Sequence, residues 1–302
     1  MRSQNIATFV VDWGTSNFRL FGLDSEGTLV STIEAPLGVL QIKHAEFAEA
    51  LEQKLKEMTS DYQHKTVVMA GMVGSASGWF NVPYVKAKAT VSDIAKNALL
   101  FQLPWGAQAY ILPGVSYRTS ALFCDVMRGE EVQIFGLSLF NQSENTQVVL
   151  PGTHSKHVFI ENGAISRFST YFTGELYALL SQYSSVKPPS PAGKEVNVDA
   201  FLKGVKKAAA GTLLNDIFSA RALRLFGELN DNEVADYLSG ILIGNELQSI
   251  KRPNIYLVGG EALCQRYELA ARQFDIETHT FSGNTCFLHG MSRIVKELSH
   301  GR

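Results

Sequence analysis

The chain has 302 residues, a formal charge of −2 and an ordinary globular composition. That length suits two domains, each with its own apolar core, and the near-zero charge gives no electrostatic reason to expect nucleic acid or an anionic membrane as a partner. Cys124, Cys264 and Cys286 are scattered without CxxC spacing, a set that argues for free thiols in a reducing compartment and against a disulfide framework or zinc site.

In chain order, an apolar strand begins at Ile6 with no h-region before it, and no later apolar stretch approaches the ~20 residues of a membrane span; a cytoplasmic protein is expected. Residues 10–21 read VVDWGTSNFRLF: an apolar, β-branched run, Gly-Thr with small polar residues, and a second apolar run, which is the pattern of a hairpin with a tight turn. Asp24-Ser25-Glu26-Gly27 returns the chain, and Leu-Gly-Val-Leu around Gly38 and Leu40 reads as a turn followed by apolar residues. Phe47, Leu51, Leu55 and Met58 recur at helical spacing, so 44–58 is a predicted amphipathic crossover helix. A strand at 66–70 runs into a Gly-rich loop at 71–79, at the carboxyl end of a parallel strand where open α/β sheets bind ligands. A short strand at 108–112 and a helix at 130–140 burying Val132, Phe135 and Leu139 complete the first half, and the domain junction is expected near that helix, giving domains 1–140 and 141–302.

The design of the first hairpin then returns at residues 148–160, VVLPGTHSKHVFI, again with a Gly-containing return turn, Glu161-Asn162-Gly163. Gly-Thr suits any hairpin turn, but two copies in the same order point to homologous halves and so to a cleft. Both turns suit anions: glycine lets backbone N–H groups converge, and Thr15, Ser16, Asn17, Thr153, Ser155 and Lys156 add donors. Further on, Leu176, Leu179, Leu180 and Tyr183 mark a helix opening at Thr173-Gly174-Glu175. Pro188, Pro189, Pro191 and Gly193 make 184–197 an exposed excursion. Helices follow near 199–210, 214–226 and 233–250, then a strand at 254–258 ending in Gly259-Gly260, a helix at 261–274, a strand at 276–281 and a last helix at 285–299 with Phe287, Met291, Ile294 and Leu298 inward. The class is α/β. There is no GxxxxGK[ST] and no GxGxxG opening a βαβ unit, and His154 and His157 lack the companions of a metal pair.

The blocks VDWGTSN, VVMAGMVGS with GW, VMRGEE, LPGTHSK, FTGEL, LSGILIG and LVGG occur in the order found in 2-dehydro-3-deoxygalactonokinases, and seven blocks in fixed order are far more specific than any one of them. The chain resembles that family almost end to end. The resemblance implies two ribonuclease-H-like domains of the actin-like ATPase and sugar-kinase superfamily closing over ATP and a 2-keto-3-deoxy sugar acid, with the γ-phosphoryl group passing to the C6 hydroxyl of 2-dehydro-3-deoxy-D-galactonate. Phosphoryl transfer needs positioning, charge neutralisation and a carboxylate near the attacking hydroxyl. On this reading Asp12 reaches Mg²⁺; Gly14, Thr15, Ser16 and Asn17 form one phosphate loop and Gly152, Thr153, His154, Ser155 and Lys156 the other, with Lys156 as the point charge. Pro151 stands where many sugar kinases carry an aspartate, so metal binding leans on Asp12. The base is Glu130 or Glu131, with Asp125 and Glu175 in reserve and an ordinary acidic first turn as the alternative. Arg128 is placed to clamp the substrate carboxylate or to make a structural ion pair. Gly38, Leu40, Gly71, Met72, Gly74, Ser75 and Trp79 are substrate-site candidates, Trp79 fitting the core equally well. The adenosine site falls to Gly240, Gly244, Gly259 and Gly260, the first two fitting close helix packing as well. A kinase for another keto-deoxy acid, a polyphosphate-type phosphatase, a non-catalytic actin-like sensor and a homodimer all stay open.

Overall fold

The computed structural model describes residues 5–141, 143–190 and 195–300; Pro191 and Gly193 lie outside them. Among the described residues no helix is long and apolar enough to cross a membrane.

The chain opens with strands β1 (Thr8–Trp13), β2 (Phe18–Leu23) and β3 (Leu29–Ala35), passes through helix α1 (Phe47–Met58) to β4 (Thr66–Gly71), and continues with β5 (Val85–Lys86), helix α2 (Val91–Lys96), β6 (Leu99–Gln102), β7 (Gln108–Ile111), β8 (Val115–Arg118), β9 (Cys124–Met127) and helix α3 (Glu130–Leu137). It then forms β10 (Asn145–Leu150), β11 (Ser155–Glu161), β12 (Ala164–Tyr171), helices α4 (Thr173–Tyr183), α5 (Val198–Ala210), α6 (Leu213–Leu225) and α7 (Val234–Leu247), strand β13 (Asn254–Gly259), α8 (Glu261–Ala271), β14 (Glu277–Ser282) and α9 (Gly283–His300).

The α/β class holds. One sheet has the order β3-β2-β1-β4-β7-β6 and a second the order β12-β11-β10-β13-β14. In both, three consecutive strands form a meander whose first strand then pairs in parallel with a later one, β1 with β4 and β10 with β13. The connections at 151–154 and 162–163 are too short for anything but hairpins, since parallel pairing needs a crossover of a dozen or more residues. The repeated hairpin is therefore the visible part of a repeated sheet. A small third sheet, β5-β8-β9, lies apart from these in strand order.

Contacts divide the chain into two compact units. One comprises Met1–Glu144, Ile160–Arg167 and Asn284–Arg302, the other Asn145–Phe159 and Phe168–Gly283. The first unit's core is built where the α1 stripe Phe47, Leu51 and Leu55 meets the inward faces of β1, β2 and β4, around Trp13, Phe18, Val67 and Met69. Its last helix, α9, joins by close backbone contact: a Cβ on Gly136 would lie 1.8 Å from the Cys286 carbonyl oxygen, and one on Gly290 1.9 Å from that of Val132. The second unit packs α5, α7 and α8 on its sheet around Phe201, Tyr267 and Leu257.

Two apolar patterns resolve differently from expectation, and several elements were not expected at all. The third helix stops at Leu137, short of 140, so Leu139 is exposed while Val132 and Phe135 are buried. No residue of α4 is fully buried, and Leu179 and Tyr183 are exposed, so its apolar spacing is an incomplete packing stripe. Strands β3, β6, β8, β9 and β12 and helix α2 carry alternations too short or too polar to stand out in the sequence.

Candidate active site

The first Gly-Thr turn connects β1 and β2. Its Gly14 N–H donates to the Asn17 carbonyl at 2.9 Å, and Thr15, Ser16 and Asn17 are exposed. The turn rests on Gly38: a Cβ there would lie 2.1 Å from the Thr15 carbonyl oxygen and 2.3 Å from Ser16 Cα. The N–H groups of Val39 and Leu40 donate to the Gly14 and Thr15 carbonyls, and the Trp13 indole N–H to Leu37. Gly38 is thus fixed as a buttress, while the Leu40 side chain is exposed. Neither Gly14 nor Gly152 has a positive φ, so small size, not left-handed backbone, is what these two glycines provide.

The second turn repeats the scheme. A Cβ on Gly174 would lie 2.3 Å from the Gly152 carbonyl oxygen, and the Glu175 N–H donates to the Thr153 carbonyl at 2.9 Å. Gly38 and Gly174 follow the third strand of their respective sheets, so the duplication includes the buttress. It also includes the neighbouring parallel strand: Gly71 ends β4 against the Trp13 carbonyl, and Gly259 ends β13 with its Cβ direction 3.6 Å from the Pro151 carbonyl oxygen. Each turn thus sits at the carboxyl edge of its sheet, where ligands of open α/β sheets collect.

Around the first turn, Asp12 pairs with Arg19, which also donates to the Asn284 side chain. Gly71, at φ 93°, passes close to the Asp12 carboxylate, and Gly129, at φ 108°, faces Gly71 with a Cβ direction 3.3 Å from its Cα. Only glycine suits that pair of left-handed corners, and they bring the start of α3 up to Asp12. Gly74 packs on the Arg128 guanidinium, Ser75 donates to the Met72 carbonyl, and Trp79 is covered by Phe47 and Phe80 with Phe101 at its edge. Trp79 is a core residue here.

Arg128 is buried. Its guanidinium lies 4.3 Å above the Tyr84 ring and donates through Nη2 to the Val82 carbonyl at 2.7 Å, while Nε and Nη1 have no hydrogen-bond partner. Among the described residues it makes no ion pair, and an uncompensated buried charge costs several kcal/mol. The two glutamates that follow fold back over the helix start: Glu130 accepts from the Arg128 N–H at 3.0 Å and Glu131 from the Gly129 N–H at 2.7 Å. Glu131 is fully buried, its Oε1 has no partner, and burial, with the charge of Glu130 adding to it, pushes its carboxyl up to about 8. Glu130 is half-buried.

At the second turn, Thr153 and His154 are exposed, His154 bonding Glu175 and stacking on Phe172. Ser155 and Lys156 are buried, and their side chains are engaged within the protein: the Ser155 hydroxyl donates to Glu246, and Lys156 Nζ to the Thr170 hydroxyl at 2.7 Å. Beside the turn lies an apolar pocket lined by Leu242, Ile243, Leu263, Tyr177 and Tyr267 with Thr173, Gly174, Ser239 and Arg266. Helix α7 faces it with Ser239, Leu242 and Ile243. Gly240 and Gly244 face α5 instead: their Cβ directions run into the Phe201 carbonyl oxygen at 2.0 Å and Val205 Cα at 3.0 Å.

Sequence reasoning missed Arg19 and Glu246. Arg19 sits directly across the β1–β2 ladder from Asp12, a register visible once the hairpin is drawn. Glu246 carried no signal, since a glutamate four residues from a helix end reads as solvated.

Comparison with known proteins agrees along the whole length. Residues 12–294 match the family described as 2-keto-3-deoxy-galactonokinase. The 2-dehydro-3-deoxygalactonokinase of Escherichia coli (strain K12) is 33% identical over 300 residues, covering 96% of this chain and 98% of the relative. The crystal structure of a candidate 2-dehydro-3-deoxygalactonokinase from Sinorhizobium meliloti is 28% identical with a TM-score of 0.85, over 96% of this chain and 98% of the other. At the level of fold alone, the activator of 2-hydroxyisocaproyl-CoA dehydratase from Clostridium difficile, solved with ADPNP, gives a TM-score of 0.51 at 12% identity over 97% and 96% of the two chains. With both buttressed turns inside the matched span, the chain belongs to the 2-keto-3-deoxy-galactonokinase family.

Proposed function

We propose that the chain transfers the γ-phosphoryl group of ATP to the C6 hydroxyl of 2-dehydro-3-deoxy-D-galactonate, with the sugar acid held by the first unit and the adenosine by the second. Family membership supports the reaction class, and one observation carries the sugar acid: the buried Arg128 guanidinium with two unpartnered nitrogens. A substrate carboxylate supplies the missing anion, and a neutral sugar does not. The neighbouring Gly71, Met72, Gly74 and Ser75 line the approach to it.

In the first unit Thr15, Ser16 and Asn17 are exposed donors suited to phosphate oxygens, with Gly14 leaving room for them, and in the second unit Thr153 and His154 with Gly152 offer the same. Ser155 and Lys156 act from inside, fixing the second strand. The base enters the pocket faced by Ser239, Leu242, Ile243 and Tyr267, with Gly259 and Gly260 beside the turn and Gly240 and Gly244 setting the helix that forms its wall. Glu130 is the base: its carboxylate is half-buried at the start of α3, whereas Glu131 is sealed inside and mostly protonated at neutral pH. Asp12 pairs with Arg19 through Oδ2, so Oδ1 is the atom that would hold Mg²⁺, and one carboxylate suffices for an ion that takes most of its remaining ligands from phosphates and water. When bound there, Mg²⁺ supplies charge neutralisation of the β- and γ-oxygens.

ADP formation should depend on the sugar acid. Arg128→Met should lower kcat/KM for the acid by about 100-fold or more, the cost of truncating one partner of a buried charge pair, and Glu130→Gln should lower kcat at least 100-fold. Phosphate release without any sugar acid, or equal rates with a neutral analogue, would overturn the reading. The three free thiols favour a cytoplasmic setting, and the exposed Leu214, Phe218 and Leu225 of α6 favour a homodimer, for which a monomer mass in light scattering would be decisive against.

A further inference from the structure

One carboxylate in the second unit collects four donors. Glu246 is 2% exposed on α7. Its Oε1 accepts from the Ser155 hydroxyl at 2.7 Å and from His157 Nε2 at 2.8 Å. Its Oε2 accepts from the Tyr267 hydroxyl at 2.7 Å and from the Thr173 hydroxyl. Burying a carboxylate is tolerated only when its lone pairs are filled, and these four fill them from three separate elements: β11, α4 and α8.

The donors are the joints of the nucleotide site. Ser155 is the first residue after the second Gly-Thr turn, and His157 lies two residues further along the same strand. Thr173 precedes Gly174, the buttress on which Gly152 rests. Thr173 and Tyr267 also line the base pocket. A hydroxyl network on neutral acceptors would let each element shift by rotating its own donor, whereas a carboxylate accepts only and so fixes every donor's direction.

We propose that Glu246 is a positioning residue that locks the second phosphate turn to the wall of the base pocket, so that the two ends of one nucleotide are held in fixed register. This rests on the assignment of the nucleotide to the second unit, and binding measurements separate the two. Titration calorimetry of ADP without sugar acid reads the register directly. Wild-type protein should bind ADP. Glu246→Gln should weaken that binding roughly tenfold, about 1.4 kcal/mol, because the amide presents two N–H groups where two donors already point. In steady state, the KM for ATP should rise in parallel while the KM for the sugar acid stays within about twofold.

Should Glu246→Gln not fold, Ser155→Ala and His157→Phe each delete one joint without touching the pocket lining and should each weaken ADP by several-fold. The double variant Ser155→Ala/Glu246→Gln should bind ADP as Glu246→Gln alone does, since the lost bond is shared. Unchanged ADP affinity in all of these, fully additive losses, or equal rises in both KM values would overturn the proposal. A wild type that binds no ADP would remove the site assignment beneath it.

Discussion

Glu130 and Glu131 are adjacent in sequence and differ in environment. Neighbouring helix residues point about 100° apart, so one carboxyl stays at the helix mouth and the other is sealed inside, where burial raises it to about 8. The consequence for stability has a definite sign. Between the ordinary carboxyl value near 4.5 and about 8, the folded protein binds a proton that the unfolded chain has lost, so the contribution of Glu131 falls as pH rises through that window. Glu131→Gln removes the titration and should gain on wild type by several degrees in Tm between pH 5 and pH 8; parallel Tm profiles would refute it. Arg128 belongs to the same scale. Its residue type was legible as a carboxylate clamp, but the lack of an ion pair among the described residues became visible only when Glu130 and Glu131 turned back to cap their own helix.

At the scale of elements, the two Gly-Thr turns differ little from ordinary hairpin corners, and what distinguishes them is the glycine beneath each. Gly38→Ala and Gly174→Ala would each drive a methyl into backbone and should cost about 1–3 kcal/mol of stability. Gly152→Ala meets nothing within 4 Å and should leave stability within about 0.5 kcal/mol while lowering kcat/KM for ATP. Equal Tm losses at Gly152 and Gly174 would undo the distinction. The turns, the strand ending at Gly71, the helix at 130 and the long C-terminal helices were all readable, because period and punctuation are local properties. Short strands such as β6 and β8 were not, since four residues carry too few alternations to count. The role of Gly240 and Gly244 was not either: small residues at four-residue spacing face a neighbouring helix or a ligand with the same pattern, and the position of α5 alone decides between them.

At the scale of the whole molecule, repetition was legible while connectivity was not. The chain does not finish one unit before starting the next. Residues 284–302 return to the first unit, where Phe287 meets Phe21 at 5.8 Å and the glycine contacts Gly136–Cys286 and Gly290–Val132 allow no substitute. A fragment ending at residue 140 should therefore fail to fold alone, and adding a peptide of residues 283–302 should restore cooperative unfolding by circular dichroism; a stable 1–140 fragment would contradict this. The same return has a meaning for biosynthesis. Helix α3 leaves the ribosome before its partner exists, because the first turns of α9 are made only after the second unit's long segment, so the first-made lobe waits, incompletely covered, while that segment is synthesised.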